Sequence, residues 1–342
     1  MLLQHLLPSS TTLLALLLAL SSLPTPTTST RSPKRGLVFI SQPQHPEDNA
    51  VWVQKGSSLT WYYNYRDTPS TAFAGIPQDR FEFVPMMWGV DQEHPEATTF
   101  LDKVKAMLDD SVNITHALSF NEPDGTIASG GSDLSPKLAA RAWVKNFEPL
   151  RELGVKVGLP ACTGAANGLE WLRNFLDACA ELVSEGAEKK RNCTYDFLPV
   201  HWYGDFDGMA SHVAERMAVF PKIPIWVSEY ALPHEDLPAT QRFFNISATW
   251  LDNETIVERY AYFGAFRSTE SNVGPNPVFL NRDGALTDIG SWYLGGNATG
   301  VDPQSGEGGA GSLRASLGLM VLGIVAWAPA LWGGLFDEDY GY

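Results

Sequence analysis

The chain has 342 residues, 44% of them hydrophobic and 11% aromatic, with 24 Lys and Arg set against 39 Asp and Glu. A formal net charge of −15 disfavours nucleic acid and anionic membrane surfaces as ligands, whereas a neutral polysaccharide is not repelled. Abundant aromatics and the absence of charge blocks leave room for one large core, on the scale of an α/β barrel of roughly 250 residues.

In chain order, residues 1–22 read as a secretory signal peptide: a Leu-rich run from Leu13 to Leu20, then Ser21 and Ser22. Its first residues carry His5 but no Lys or Arg, so a signal anchor is the alternative, against which the apolar run is short. Residues 23–35 are a Pro/Thr/Ser-rich segment ending in Lys34-Arg35, a pair that a dibasic protease could cut unless it is simply solvated. A barrel domain is expected over 36–299, a Gly/Ser-rich linker over 300–316 and a hydrophobic tail over 317–342. The run from Leu317 to Phe336 is long enough to cross a bilayer. Small residues around Ser305 to Ser312 before it suit a glycolipid-anchor signal. The acidic ending Asp337-Glu338-Asp339 suits a transmembrane helix instead, and both readings tie the chain to a membrane. Five sequons, at Asn113, Asn192, Asn245, Asn253 and Asn297, agree with the leader and predict exposed, glycosylated positions. The expected location is the cell surface or wall.

Between these ends, short apolar runs alternate with helical patterns, the signature of βα units around a parallel sheet. Strands are expected at Leu37 to Ile40 or Leu59 to Tyr65, then Phe81 to Trp88, Ala117 to Asn121, Lys156 to Leu159, Phe197 to Tyr203, Ile225 to Glu229 and Tyr262 to Phe266. Helices are expected at Thr98 to Leu108, Pro136 to Leu153, Glu170 to Ser184, Gly208 to Phe220, Pro238 to Asn253 and Val257 to Tyr262. The clearest is Pro136 to Leu153, with Ser135 as N-cap, Pro136 at its first position and Gly154 closing it. An open doubly wound sheet of the dinucleotide-binding type would want a Gly-rich turn after its first strand, and none follows a strand here. The predicted fold is therefore an α/β, TIM-like (β/α)8 barrel in a single catalytic domain. Of the three cysteines, Cys179 and Cys193 are the expected disulfide, leaving Cys162 as a thiol. No CxxC and no His at ligand spacing occurs, so no metal and no cofactor is expected.

Barrel chemistry sits at the C-terminal ends of strands. Glu122, after Ala117-Leu-Ser-Phe-Asn, and Glu229, after Ile225-Trp-Val-Ser, both end apolar strands, where a charge is expensive to bury. Alternation groups Glu122 with Leu118 and Phe120, and Glu229 with Val227. Taken singly, either acid could cap a strand or pair with an Arg. Two carboxyls about 5–5.5 Å apart are what a retaining glycosidase needs. Aromatics gather at the same strand ends, and a pyranose face stacks on such rings, although about half of them are expected to be barrel core.

The ordered segments WYYNY (61–65), FVPMMWG (83–89), SFNEPD (119–124), FLPVHWYG (197–204), WVSEYA (226–231) and VERYAYFGAF (257–266) resemble the Asl1-like glycosyl hydrolases, family 128 of the glycoside hydrolases. That resemblance implies a modified barrel acting on β-1,3-glucan, with Glu122 as acid/base and Glu229 as nucleophile. It also implies that Asn121 touches the sugar 2-hydroxyl. His201 and Tyr203 are candidates to orient Glu229 or touch sugar. Trp88 is the chosen stacking platform, with Tyr63, Asn64 and Trp292 as weaker candidates, and Tyr230 is expected to face away. Two alternatives remain at this level: a non-catalytic β-glucan-binding wall protein, or a hydrolase of another β-linked wall polymer.

Overall fold

The computed structural model describes residues 32–306. The expected leader and apolar tail lie outside them, and no helix among the described residues is long and apolar enough to cross a membrane. The strands are β1 (Arg35–Val38), β2 (Trp61–Tyr63), β3 (Glu82–Phe83), β4 (His116–Ala117), β5 (Lys156–Val157), β6 (Leu198–Tyr203), β7 (Ile225–Ala231) and β8 (Val257–Tyr262). All pairings between them are parallel. One sheet runs β3-β2-β1-β8-β7-β6 and a second pairs β4 with β5. Short bridges join the two: Leu118 N donates to Pro85 O at 2.9 Å, and Leu159 N donates to Phe197 O at 3.0 Å. The ring of strands is thereby continuous.

The helices are α1 (Asn49–Trp52), α2 (Thr99–Asp109), α3 (Pro136–Glu152), α4 (Gly168–Ser184), α5 (Phe206–Val219), α6 (Leu237–Asn253) and α7 (Asp288–Tyr293). Their starts are chemically marked. The side chains of Ser135, Asp205, Asp236 and Thr287 accept from backbone N–H groups in the first turns of α3, α5, α6 and α7, which satisfies donors that have no partner inside the helix. The barrel departs from regularity early: after β1 comes only the one-turn α1, and after β2 only a 3₁₀ turn at Thr71–Phe73.

Alternation along β2 sorts its aromatics. Tyr62 packs outward on Phe73, Phe81 and Phe83, while Trp61 crosses the barrel interior to Trp226 of β7 at 5.1 Å. Phe197 stacks on Trp226 at 4.0 Å and His116 lies 5.1 Å from it, so the lower interior is filled with rings. Cys179 on α4 is disulfide-bonded to Cys193, Cα atoms 5.8 Å apart, and Cys162 is a buried free thiol.

Two expectations are corrected. Val257 to Tyr262 is strand β8 rather than a helix, and Tyr262 to Phe266 only begins the loop after it. The segment Val-Glu-Arg-Tyr-Ala-Tyr puts Tyr260 and Tyr262 on the face covered by Tyr230, an alternation that the helix reading overlooked. Described structure also continues on either side of residues 36–299. Arg35 opens β1 and is buried, its guanidinium donating to Tyr260 Oη, Asp252 and the carbonyls of Trp292 and Tyr293. A protease could not reach Lys34-Arg35 without opening the barrel. At the other end, residues 299–305 form a strap rather than a free linker. Thr299 N and Gly300 N donate to Asp288, Asn281 Nδ2 donates to Ser305 Oγ, and Gln304 Nε2 donates to Asn276.

Candidate active site

β7 carries Glu229 into the barrel mouth with the help of an irregularity. The ladder shifts register between Val200 and His201 on β6, and between Val227 and Tyr230 against β8. A bulge re-aims side chains; here both Trp226 and Glu229 face inward, while Tyr230 is buried outward against Phe243 of α6. His201 lies directly across from Glu229 in the β6–β7 register.

Glu122 arrives differently. Phe120 packs on Phe147 of α3, so strict alternation would send Glu122 into the helix layer with it. Glu122 instead adopts a left-handed backbone, φ 39°, a conformation that costs a non-glycine residue roughly 1–2 kcal/mol. The surrounding loop holds it there. Glu122 N donates to Ala161 O at 2.8 Å, Gly125 N donates to Glu122 O at 2.8 Å, and Asn121 Nδ2 donates to Gly130 O at 3.0 Å. A Cβ at Gly131 would stand 2.5 Å from Glu122 O, so the loop closes this tightly only because position 131 has no side chain. Asp124 braces its far side, accepting from Thr163 N at 2.9 Å and Thr163 Oγ1 at 2.7 Å.

These two routes bring one carboxylate oxygen of each glutamate and one His201 nitrogen within 4.8 Å of one another. Glu229 is gripped on both oxygens. Tyr63 Oη donates to Oε1 at 3.1 Å, Tyr65 Oη to the same atom at 2.7 Å, and Tyr203 Oη to Oε2 at 2.7 Å. Accepting through both oxygens is the role of a carboxylate rather than a carboxylic acid. Burial, reinforced by the charge of Glu229, pushes all three phenols well above their ordinary range, which keeps them protonated donors.

Glu122 sits 2.9 Å from His201 Nδ1. Burial raises its pKa, with the charges of Glu229 and Asp124 adding in the same direction and His201 opposing. His201 is itself fully buried. Burial lowers its pKa, but Glu229 and Glu122 outweigh that, and the net shift is upward. Glu122 therefore holds its proton beyond the usual carboxyl range. Glu122, His201 and Glu229 are also the group of donors among the described residues that gathers closely enough to suit a cation. Their facing atoms are already engaged with one another and with the three tyrosines.

Of the predicted residues, Glu122, Glu229, His201, Tyr203 and Tyr63 converge. Trp88 is half-buried at the mouth, its carbonyl accepting from Asn121 N at 2.9 Å. Asn121 spends an amide hydrogen on the Gly130 loop, and its Oδ1 is buried without a partner. Asn64 is a turn residue, donating to Thr68 O and accepting from Arg66 N. Trp292 does not join the cluster. It sits on α7, stacked on Phe244 of α6, with its carbonyl held by Arg35 at the opposite end of the barrel. Its ring belongs to the helix layer. Tyr65 was missed by the sequence reading. It lies two residues past Tyr63 on the same parity, but its own positive φ of 59° hid it among turn residues. The five sequon asparagines are all exposed.

A continuous ring of parallel strands with Glu229 on β7 and Glu122 in the loop that follows β4, both turned into the barrel mouth, is the arrangement of a glycoside hydrolase. Residues 36–293 match the family described as the glycosyl hydrolase catalytic core, and the chain belongs to that family, in its Asl1-like, family 128 branch. It is 28% identical over 273 residues to alkali-sensitive linkage protein 1 of Schizosaccharomyces pombe, covering 77% of this chain but only 44% of that one. A curdlan-specific exo-β-1,3-glucanase of family 128 from Blastomyces gilchristii, solved with glucose, is 28% identical, with TM-score 0.58 over 78% of this chain and 99% of that chain. An exo-β-1,3-glucanase of the same family from Aureobasidium namibiae shares the fold at 22% identity, with TM-score 0.60 over 78% and 97% of the two chains.

Proposed function

We propose that this chain is a retaining hydrolase of β-1,3-glucan. The observation that carries the proposal is the approach of a carboxylate oxygen of Glu122 and one of Glu229 to within 4.8 Å, close to the about 5–5.5 Å of a retaining pair and well short of the roughly 6.5–9.5 Å of an inverting one. Glu229, held by three hydroxyls, attacks the anomeric carbon. The bond to the departing glycosidic oxygen breaks as Glu122 gives that oxygen its proton. A covalent ester between sugar and Glu229 results. Formation of the ester removes the Glu229 charge, which had raised the affinity of Glu122 for its proton. Glu122 is then free to take a proton from water, and that water attacks the same carbon and restores Glu229. No resident cofactor enters this sequence of steps.

The substrate rests on the glucanases to which the chain is similar. The leader, the sequons and the tail after residue 316 support a secreted, membrane-tethered protein that acts at the cell wall. The test is product release from linear β-1,3-glucan by the full chain beside Glu122→Gln and Glu229→Gln. Oligosaccharides or glucose from the wild type, first released as the β-anomer by NMR, with almost nothing from either variant, support the proposal. An α-anomer would sink the retaining step. Binding without cleavage would make the chain a β-glucan-binding protein, and cleavage of mannan or β-1,4-glucan alone would change the substrate.

A further inference from the structure

On the outside of the barrel, between α5 and α6, an apolar groove of about 540 Å³ is lined by Phe206, Asn245, Ile246, Thr249, Trp250 and Asn253. Phe206 and Trp250 meet edge to face at 5.8 Å, and Ile246 is 45% exposed. Two of these six residues open sequons, Asn245-Ile-Ser and Asn253-Glu-Thr. An apolar surface bordered by two glycan acceptors on a single helix face calls for one explanation.

We infer that this groove is the seat of an N-linked glycan carried on Asn253, whose reducing-end N-acetylglucosamine packs on Trp250 and whose next sugar reaches Ile246. Helix side chains lean towards the N-terminus, so a residue covers the positions three and four before it. For Asn253 those are Trp250 and Thr249. Its amide is already laid back along α6, with Nδ2 donating to Thr249 O at 2.7 Å. One of its two hydrogens stays in that bond while the other points away for substitution. The seven residues back to Ile246 span about 10 Å of helix, a distance that a two-sugar core covers. Asn245 leans the same way and so directs its glycan off the groove. In the modification itself, a bond forms between Asn253 Nδ2 and the anomeric carbon of an oligosaccharide carried on a lipid diphosphate. The lipid diphosphate leaves and Nδ2 loses one proton. The apolar C–H face of the sugar then finds the indole ring and its hydroxyls remain in water.

The inference rests on the secretory part of the proposed function, and the experiment separates the two. The full chain is expressed in a glycosylating eukaryotic host, and peptide N-glycosidase release is followed at each sequon by mass spectrometry, before and after denaturation. In the folded protein the Asn253 glycan should be released about tenfold more slowly than those on Asn113 and Asn297, the protection expected of a packed contact of this size. Denaturation should equalise the sites. Trp250→Ala should remove the protection, as should Ile246→Ser, which alters an exposed side chain and leaves the fold intact. Equal native release at all sites, or an empty Asn253 beside occupied sequons, overturns the inference and leaves the secretory reading standing. No occupied sequon anywhere overturns both.

Discussion

Two glutamates inside this barrel are equally hidden and behave oppositely. Glu82, on β3 at the closed end, has a side chain 16% exposed, and Glu122 at the mouth is 14% exposed. Burial pushes both pKa values upward. At Glu82 it is overruled by hydrogen bonds from His116 and Thr115 and by the Arg259 charge, and the carboxyl falls to about 2. At Glu122 the neighbouring carboxylates Glu229 and Asp124 side with burial, His201 cannot overcome them, and the carboxyl rises. Depth alone therefore says nothing about which acid is a structural anion and which can give up a proton. The balance between burial and all the surrounding charges decides.

The comparison is broken most severely by removing the anion that Glu122 senses. Glu229→Gln should lower kcat on the order of 10⁴-fold or more, because nucleophile and acid act as a unit; single-turnover kinetics would measure it. A residual rate within tenfold of wild type would assign the nucleophile elsewhere. At the closed end, Glu82→Gln leaves Arg259 without its partner and should destabilise by roughly 3–5 kcal/mol, read as a fall in denaturation midpoint. The depressed pKa fixes the sign of the pH effect. Stability from Glu82 is present above the unfolded value of 4.5 and lost as pH falls through about 2. Wild-type unfolding should thus depend more steeply on pH in that window than unfolding of Glu82→Gln, in which the other lowered carboxyls, such as Asp196, still contribute.

Smaller changes sharpen the contrast. Tyr65→Phe removes one of the three donors to Glu229 and should cost about 10- to 100-fold in kcat with a smaller change in KM, the worth of a hydrogen bond to a charged group. Finest of all, Asp124→Asn removes a like charge near Glu122, so the alkaline limb of the pH–rate profile should move to lower pH. His201→Asn removes an opposing influence on Glu122 and should move that limb upward. Limbs that shift in the same direction in both variants would show that Glu122 does not govern them.

The barrel was legible because β–α alternation and helix caps are local signals: Ser135 with Pro136 marks α3 without reference to anything distant. The two glutamates were legible because a carboxyl ending an apolar strand is anomalous. Less local features escaped. Strict alternation gave Glu122 the same face as Phe120, and only its positive φ, imposed by a loop that closes over Gly131, turns it to Glu229. Tyr65 was passed over for the same reason, since a left-handed residue after a strand looks like a turn. Trp292 was overvalued because aromatic identity does not tell a ring in a cleft from one between helices. Arg35 looked like a processing signal because the partners that bury it come from β8, α6 and α7, more than 200 residues away in sequence.

The strap formed by residues 299–305 also sets an orientation. Residue 32 enters at the closed end of the barrel, beneath β1, whereas the strap climbs back past Asp288 to Asn281 and Asn276, the latter bonded to Glu235 in the loop after β7. Gly306, beside Arg282 and Asp283, therefore leaves on the same end as the catalytic mouth. A surface that held Gly306 itself would have the cleft turned towards it and would offer it polymer strands lying close by. A cargo fused ahead of residue 32 would ride on the opposite pole, clear of the cleft.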